Sequence, residues 1–319
     1  MLDKLGRSID YLRISLTNEC NMRCIYCRPD KGACEEKMIM PYEEIVLLLG
    51  LFLQNGIKKI RLTGGEPLLY PRIIELVEAI KDNFSIEKLV MTTNGILLSD
   101  KAAQLLENGL DGVNISIDAL TPKVFRQITR GSDIHKVLLG IEAVRKKIPV
   151  KINTVIMKGI NEQEIIPLAE FSRQYDIPVR FIEMMPFSQT KNYEGIKENQ
   201  IKDIISSKYG SLIADTTATG VASYYDFDDK CGKIGFISAL SHNFCHECNR
   251  IRLMSNGILK PCLYSEEEYD LKQLLLQKAS AEEIKSIINK VIYNKPARHK
   301  MQERVFFNNK HKFMSEIGG

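Results

Sequence analysis

The sequence feature that most restricts the fold is an alternation of short strand-like runs with helix-length segments up to about residue 185. Six runs rich in β-branched and other apolar residues predict strands; they cover 11–16, 58–63, 89–93, 112–118, 150–156 and 179–184. Apolar residues at helical spacing predict the intervening helices at 42–54, from Pro71 onward, and at 99–108, 134–147 and 162–175. Strands that alternate with helices form parallel sheets, and six such units are too few to close an eight-stranded barrel. The sequence therefore predicts an α/β fold, a partial (open) TIM-type (βα)6 barrel.

The predicted strands carry polar side chains at every second position, whereas buried parallel strands are usually continuous apolar runs. In the first strand, Leu12 and Ile14 alternate with Arg13 and Ser15. Because side chains point alternately to the two faces of a sheet, these polar residues share the face that turns away from the helices. Cations on that face need a counter-charge, which predicts a wide, wet interior suited to an anion, unless the runs are edge strands with solvated charges. The same alternation turns further polar residues inward: Arg61, Asn114, Ser116, Lys151, Asn153 and Arg180.

The strand–helix alternation stops near residue 190, which predicts a second unit. The chain is accordingly divided into a barrel at 1–190 and a C-terminal α+β extension at 191–319. The extension is expected to contain a helix at 198–208, strands at YYDF and KIGFIS, and helices near 270–278 and 281–293. The run RIRLMSNGILKPC predicts a hairpin with Asn256-Gly257 at its turn.

Composition excludes several classes of protein. The net charge of +4 on 319 residues does not indicate a nucleic-acid partner. The N-terminus lacks the apolar core of a signal peptide, and no stretch is long and apolar enough to cross a membrane. A cytoplasmic protein is therefore expected, and in that reducing compartment its eight cysteines are expected to be metal ligands more than disulfides.

Three cysteines, Cys20, Cys24 and Cys27, stand together in CNMRCIYC, directly after the first predicted strand. That position is the carboxyl-terminal mouth of a barrel, where active sites gather. Zinc sites and ordinary iron–sulfur sites use four protein ligands. Three thiols on a four-iron cluster leave one iron open to bind a small molecule directly. Two isolated cysteines elsewhere in the sequence, Cys34 and Cys231, are interpreted as ordinary free thiols.

The motif Cys-x3-Cys-x2-Cys with an aromatic residue before its third cysteine, here Tyr26, resembles the signature of the radical S-adenosylmethionine superfamily. The resemblance implies that the open iron of a [4Fe-4S] cluster chelates the amino and carboxylate groups of S-adenosylmethionine. The segment TGGEPLL at 63–69 supports it, because two glycines at a strand end allow close backbone approach to a ligand. By the same resemblance the cosubstrate contacts are Tyr26, Gly65, Ser116 and Met185.

A second group of three cysteines, Cys245, Cys248 and Cys262, spans the predicted hairpin. A zinc site that uses His242 or His246 as fourth ligand is one interpretation of this group. Arg250 and Arg252 argue for another, because residues two apart on a strand project to the same face, beside the thiols.

The arrangement Cys-x2-Cys-x-Arg-x-Arg…Cys, with KKIRLTGGEPL, NISIDAL, VKINTVIMKGIN, RFIEMM and the terminal MSEIGG, resembles the GTP 3′,8-cyclase family over nearly the whole chain. The resemblance implies a second [4Fe-4S] cluster on the second cysteine group, whose open iron binds the guanine base. It also implies that cationic and polar residues hold GTP, chiefly its triphosphate: Arg13, Arg61, Thr92, Lys151, Arg180, Arg250 and Arg252. Planar guanidinium groups suit phosphate oxygens.

The family's reaction is that of a lyase in molybdenum cofactor (molybdopterin) biosynthesis. As the resemblance implies it, a 5′-deoxyadenosyl radical removes the ribose 3′ hydrogen of GTP, and the carbon radical attacks C8 of guanine. Reduction and protonation then give (8S)-3′,8-cyclo-7,8-dihydroguanosine 5′-triphosphate. The residues assigned to catalysis are Arg250, Arg252, and the Gly318-Gly319 tail, which by resemblance inserts into the active site.

The resemblance also implies partners: a reductant such as flavodoxin or ferredoxin, cyclic pyranopterin monophosphate synthase as recipient of the product, and a second copy of the chain in a homodimer. Two other functions remain open from the residues. One is another radical enzyme with an auxiliary cluster, such as a peptide-modifying maturase, although such enzymes carry more C-terminal cysteines. The other is a non-enzymatic zinc or iron–sulfur binding module.

Overall fold

The protein is represented by a computed structural model that describes residues 1–28, 36–187, 190–218, 220–301 and Met314. The strands found in those residues are β1 (Tyr11–Ser15), β2 (Lys59–Thr63), β3 (Lys88–Thr93), β4 (Gly112–Ser116), β5 (Val150–Thr154), β6 (Val179–Ile182), β7 (Ile213–Asp215), β8 (Ser223–Asp226), β9 (Lys233–Ile237), β10 (Arg250–Leu253), β11 (Ile258–Lys260) and β12 (Tyr269–Asp270). The helices are α1 (Tyr42–Gln54), α2 (Ile73–Asn83), α3 (Leu98–Glu107), α4 (Pro122–Thr129), α5 (Ile134–Val144), α6 (Ile165–Tyr175), α7 (Glu198–Tyr209), α8 (Leu271–Leu276) and α9 (Ala281–Tyr293).

All of these strands belong to one sheet, in the order β12-β11-β10-β1-β2-β3-β4-β5-β6-β9-β8-β7. Strands β1 to β6 are parallel neighbours in chain order, and helices connect them. The predicted α/β fold with an open, partial barrel is confirmed. The residues after 190 extend both edges of the sheet, because β10 pairs in parallel with β1 and β9 pairs in parallel with β6. In the described part of the chain the two end strands, β7 and β12, do not pair with each other.

The apolar face of the barrel strands forms the core beneath the helices. Leu12, Ile14, Ile60 and Leu62 are completely buried, as are the facing side chains of α1 such as Phe52. Burial of one such side chain stabilises the fold by about 1.5–3 kcal/mol. The helices therefore need only one apolar stripe, and the opposite, polar face of each strand is left for the barrel interior.

The structure corrects several predicted elements. Helix α4 was not among the predicted helices, although Thr121-Pro122 at its start is a recognised helix-initiating pair. Helix α5 ends at Val144, three residues before the predicted end, and residues 162–164 form a separate 3-10 turn before α6. Strands β7 and β12 were also missed, since both are too short to show a periodic pattern. The hairpin β10–β11 is confirmed, with Gly257 in its turn at φ +82°.

Two glycines after β2 seat the loop that leads into the first cysteine group. The amide of Gly65 donates to the carbonyl of Thr17 at 2.6 Å, and the amide of Glu66 donates to that of Glu19 at 2.7 Å. A Cβ added at Gly65 would stand 2.3 Å from the carbonyl oxygen of Glu19, and one at Gly64 would stand 2.6 Å from that of Thr17. The close approach that these glycines permit is therefore to the backbone of residues 17–19.

Replacement of Gly65 by alanine is expected to displace this loop, because the new Cβ meets backbone atoms that no side-chain rotation can move. We expect the free energy of unfolding to fall by about 1–3 kcal/mol, measured by urea denaturation. Gly50→Ala is the matched control: its added Cβ lies 3.6 Å from Phe84 inside α1, so it is expected to stabilise by about 0.5–1 kcal/mol. Equal stability of the two variants would contradict the assignment.

Candidate functional site

The two groups of cysteines lie at opposite ends of the strands: the first at the carboxyl ends, called the carboxyl edge, and the second at the amino ends, called the amino edge. Cys20, Cys24 and Cys27 follow the carboxyl end of β1. Cys248 directly precedes β10, and Cys262 follows β11, which runs antiparallel to β10. Because β10 is parallel to β1, with Arg250 beside Tyr11, this second group stands at the amino edge. The length of a five-residue strand between them is about 15–20 Å.

The cysteines of the first group are half-buried, and Cys24 interacts electrostatically with the other two. Burial, and then the nearby thiols of Cys27 and Cys20, raise the pKa of Cys24 well above its usual value. Burial also raises the pKa of Cys20, whose sulfur accepts hydrogen bonds from the Met22 amide at 3.4 Å and the Asn94 side chain at 3.5 Å. Thiols in such surroundings need a metal or a cation to stabilise their thiolate form.

Tyr26 fixes the cysteine loop to the mouth of the barrel. Its hydroxyl donates to Oδ2 of Asp118 at 2.8 Å, while Oδ1 of Asp118 accepts the amide of Val155 at 2.8 Å. Burial raises the pKa of Asp118 to about 6. The Asn161 side chain donates to the carbonyl of Asp118 at 2.7 Å. The loop is thereby tied to the segments that follow β4 and β5.

Glu66 forms a second connection between the same loop and the barrel. Sequence analysis did not single it out. It is fully buried, and its carboxylate accepts the amides of Leu68 at 3.0 Å and Asn94 at 2.7 Å and the hydroxyl of Thr93 at 2.6 Å. Burial raises its pKa to about 7. Asn94 in turn contacts the sulfur of Cys20, so Glu66 joins the ends of β2 and β3 to the first cysteine group.

In the second group, Cys245 begins a short 3-10 turn and Cys248 follows it. Burial raises the pKa of Cys245, and the nearby thiols of Cys262 and Cys248 add to the increase. Burial alone would raise the pKa of Cys248, but Arg250 and Lys295 outweigh it and lower the value to about 6. The second group therefore holds one thiol that ionises readily beside two cations.

The histidines proposed as zinc ligands do not turn toward these thiols. His242 pairs with Glu198 and His246 pairs with Glu247, each at 3.4 Å, and both rings are mostly exposed. In the described residues, which include Cys245, Cys248 and Cys262, no three His, Cys, Asp or Glu side chains stand close enough to hold a single metal ion. Thiolates of a four-iron cluster each bind a different iron, so they need not converge on one point.

A row of four cations crosses four adjacent strands on the interior face. Arg61 lies beside Arg13, Arg13 beside Arg252, and Arg252 beside Lys260. Residues directly opposite in neighbouring strands point to the same face. Lys260 is fully buried and pairs with Glu268 at 3.1 Å. The row therefore joins the second cysteine group to the centre of the barrel.

Each cation of this row makes the charged form of its neighbours less favourable. Burial, followed by repulsion from Arg252 and Arg61, holds the pKa of Arg13 well below its usual value. Burial and then repulsion from Arg250 lower the pKa of Arg252 to about 10. Burial lowers that of Arg180 as well. Like charges gathered in a poorly solvated space favour the binding of an anion.

The interior also contains polar atoms that have no hydrogen-bond partner in the described part of the chain. They include Nε and Nη2 of Arg180 and Oδ1 of Asn153, and these two residues are neighbours in the sheet. Buried polar atoms are almost always satisfied, so these atoms are available to a ligand. Next to them Lys151 donates to the hydroxyl of Tyr224 at 3.2 Å.

A cavity of about 210 Å³ opens among these groups toward the amino ends of the strands. Its lining includes the predicted Arg61, Lys151 and Arg180 and also three residues that were not singled out: Tyr11, Lys59 and Lys88. Period two could have found Tyr11 and Lys59, which lie two residues before Arg13 and Arg61. Lys88 lies opposite Lys59, which only the strand pairing shows.

The remaining predicted residues occupy different depths of the interior. The hydroxyl of Thr92 accepts a hydrogen bond from Arg61 at 3.0 Å. Ser116 lies at the carboxyl end of β4, at the level of the first cysteine group. Met185 packs at the rim of a small apolar cluster formed by Phe187, Met254, Tyr264 and Met301. Gly318, Gly319 and Cys34 lie outside the described residues.

Near the C-terminus, Met314 packs against this same small cluster. It therefore places the chain, five residues before Gly319, against the cluster that Met185 borders. Five extended residues reach about 17 Å. In the described residues no helix has the length and apolar character needed to cross a membrane.

Sequence comparisons identify the class of this site. The sequence model of the radical SAM superfamily matches residues 14–172, and that named Molybdenum Cofactor Synthesis C matches residues 177–301. The first match covers the barrel strands β2 to β5 and the first cysteine group. The chain is a radical S-adenosylmethionine enzyme, a class that uses a [4Fe-4S] cluster and S-adenosylmethionine.

Full-length relatives narrow the assignment. The chain is 44% identical over 324 residues to "GTP 3′,8-cyclase" of Clostridium botulinum (strain Okra), and each chain is covered completely. It is 40% identical over 326 residues to the protein of that name from Petrotoga mobilis and 40% identical over 328 residues to the one from Desulforamulus reducens, again with full coverage of both chains. The chain belongs to the GTP 3′,8-cyclase family.

Solved structures agree on the fold. The crystal structure of Streptococcus suis SuiB bound to S-adenosylmethionine is similar with a TM-score of 0.61, over 88% of this chain and 68% of that chain. The sequence identity is only 16%, so the similarity concerns the fold alone.

Replacement of Glu66 by glutamine is expected to destabilise the fold. The new amide group must face an N–H or O–H donor where the carboxylate accepts three hydrogen bonds, so one bond becomes a repulsive contact. We expect a loss of about 1–3 kcal/mol in the free energy of unfolding, measured by urea denaturation. Glu75→Gln, which breaks an exposed ion pair with Arg72, should change stability by less than about 0.5 kcal/mol. A Glu66→Gln variant as stable as that control would show that the three bonds are dispensable.

Proposed function

We propose that this chain converts GTP to (8S)-3′,8-cyclo-7,8-dihydroguanosine 5′-triphosphate, the radical step of molybdenum cofactor biosynthesis, in one chamber between two cysteine groups. Support comes from membership of the GTP 3′,8-cyclase family. The single observation that carries the residue assignments is the row of buried cations that runs from the second cysteine group into the barrel.

The carboxyl edge of the barrel is the proposed site of S-adenosylmethionine. Cys20, Cys24 and Cys27 hold a [4Fe-4S] cluster, for which three half-buried thiols at the barrel mouth are a fitting donor set. When bound, that cluster supplies the electron for reductive cleavage of the cosubstrate. The residues proposed to contact the cosubstrate are Tyr26, Gly65, Ser116 and Met185.

The lower interior is the proposed site of GTP. Arg13, Arg61, Lys151 and Arg180 neutralise the triphosphate, which carries about four negative charges, and Thr92 orients Arg61. The lowered pKa values of Arg13, Arg180 and Arg252 express the repulsion and desolvation that the bound anion would relieve. Binding of both ends of the nucleotide holds the ribose in place between the two edges, a positioning role.

The second cysteine group is proposed to hold a second [4Fe-4S] cluster, beside which Arg250 and Arg252 act in catalysis and bind the nucleotide. Its donor set fits such a cluster, since three thiols gather at the amino edge while both neighbouring histidines pair elsewhere. That cluster would supply an open iron for the guanine base.

The Gly318-Gly319 tail is proposed to reach into this chamber and to take part in the reaction. Support comes from Met314, which packs against the small apolar cluster that also includes Met185 at its rim. Residues without side chains can pass closest to bound ligands.

The other proposed partners follow from the reaction's needs. Reductive cleavage requires a low-potential electron donor such as flavodoxin or ferredoxin, and the product is proposed to pass to cyclic pyranopterin monophosphate synthase. Homodimer formation remains a prediction. A peptide-modifying activity has weaker support. SuiB is also known bound to the precursor peptide SuiA, but at 17% identity its similarity to this chain is restricted to the fold.

The experiment that tests the function is an anaerobic incubation of iron-reconstituted protein with dithionite, S-adenosylmethionine and GTP. We expect 5′-deoxyadenosine and the cyclised nucleotide to form together, both detected by liquid chromatography and mass spectrometry. The control replaces GTP with ATP, which lacks the guanine base. Formation of 5′-deoxyadenosine at equal rates with GTP, with ATP and without nucleotide would contradict the substrate assignment.

Arg252→Ala is expected to weaken GTP binding by about 10–100-fold, because it removes a buried charge-assisted contact worth about 1.5–3 kcal/mol. Equilibrium binding of GTP and the iron content of the same samples check this. Iron content should match that of the unaltered protein. The control is Arg126→Ala, which removes an exposed arginine of α4 and should leave GTP affinity unchanged. Loss of iron from Arg252→Ala would show that Arg252 is structural.

A further inference from the structure

A buried lysine forms hydrogen bonds with the backbone that carries the second cysteine group. Lys295 follows α9 and is only 2% exposed. Its Nζ donates to the carbonyl of Arg250 at 2.7 Å and to the carbonyl of Pro261 at 2.7 Å. Pro261 directly precedes Cys262, and Arg250 follows Cys248 by two residues. One ammonium group therefore fixes the segments that carry two of the three thiols.

Arg7 binds the backbone of Cys245, the third cysteine of the group, and the backbone of Lys295 itself. Its Nη1 donates to the carbonyl of Cys245 at 2.7 Å, and its Nη2 donates to the carbonyls of Lys295 at 3.0 Å and Pro296 at 2.9 Å. Asp3 pairs with this guanidinium at 2.6 Å. The charge of Arg7 is therefore matched within the protein, and its role is to connect backbone segments.

The charge of Lys295 is not matched in this way. In the described residues no carboxylate pairs with its ammonium group, whose two hydrogen-bond partners are neutral carbonyls. A buried charge without a counter-charge is unfavourable, so a nearby negative group is expected. The two carbonyls that it binds belong to Arg250 and Pro261, so the ammonium group lies beside the backbone next to Cys248 and Cys262.

We propose that Lys295 is a positioning residue of the second cluster: it holds the cysteine segments in place and supplies the buried positive charge that balances the cluster. This rests on the proposed function, in which Cys245, Cys248 and Cys262 bind a four-iron cluster. Such a cluster with three thiolates is negative, and reduction adds one more negative charge. A buried cation beside it stabilises the reduced form more than the oxidised form and raises the reduction potential.

The test compares Lys295→Gln, which removes the charge and retains an N–H donor, with Lys290→Gln, which removes an exposed lysine of α9. Both are placed in the full chain carrying Cys24→Ala, so that the remaining electron paramagnetic resonance signal belongs to the second cluster. Redox titration of that signal gives its midpoint potential. We expect a lower potential for Lys295→Gln and an unchanged potential for Lys290→Gln. Equal potentials in the two variants would overturn the proposal.

Iron analysis separates this proposal from the function beneath it. Unaltered protein should contain about eight irons with matching sulfide if each cysteine group holds a cluster. About four irons would instead contradict the second cluster itself. If Lys295→Gln binds no second cluster, Lys295→Arg decides, because it keeps the positive charge. Recovery of the second cluster in Lys295→Arg supports the proposal, and its absence from both variants would show that Lys295 acts through packing alone.

Discussion

Mutual repulsion among buried cations is the constraint on which the interior of this protein depends. Arg61, Arg13, Arg252 and Lys260 stand side by side on four strands, and their aliphatic neighbours face the helices. Lys260 pairs with the carboxylate of Glu268, and repulsion from the neighbouring arginines lowers the pKa of Arg13 and Arg252 after the larger effect of burial. Such a row is stable only around bound anions or water. The charges therefore oppose hydrophobic closure of the barrel, which contains a cavity of about 210 Å³ lined by Arg61, Lys151 and Arg180.

Different side chains support the two cysteine groups at the two ends of the barrel strands. At the carboxyl edge, Tyr26 with Asp118 and Glu66 with Asn94 tie the first cysteine loop to four strands. At the amino edge, Arg7 and Lys295 hold the second group by its backbone carbonyls. The cations lie between these two frames. Ligands bound at both edges would thus be held by supports that do not share residues.

Much of the fold could be predicted because its signals are local. The strand–helix alternation gave the six barrel units, and period two gave the interior faces of Arg13, Lys151 and Arg180. The pairing of β10 with β1 and of β9 with β6 could not be predicted, because it joins segments more than fifty residues apart through no local pattern. The same limit hid Lys88 and Lys260 among the site residues, and it hid Glu66, Arg7 and Lys295, whose partners are distant in sequence.

The pairing of Arg7 with the carbonyls of residues 295 and 296 has a consequence for biogenesis. The amino-terminal segment emerges from the ribosome first, yet its partners are among the last fifth of the chain to be made. During synthesis the guanidinium of Arg7 and the carboxylate of Asp3 stay solvated while the barrel units form one after another. A product that ends before residue 295 would thus lack the carbonyls that Arg7 joins to the backbone of Cys245.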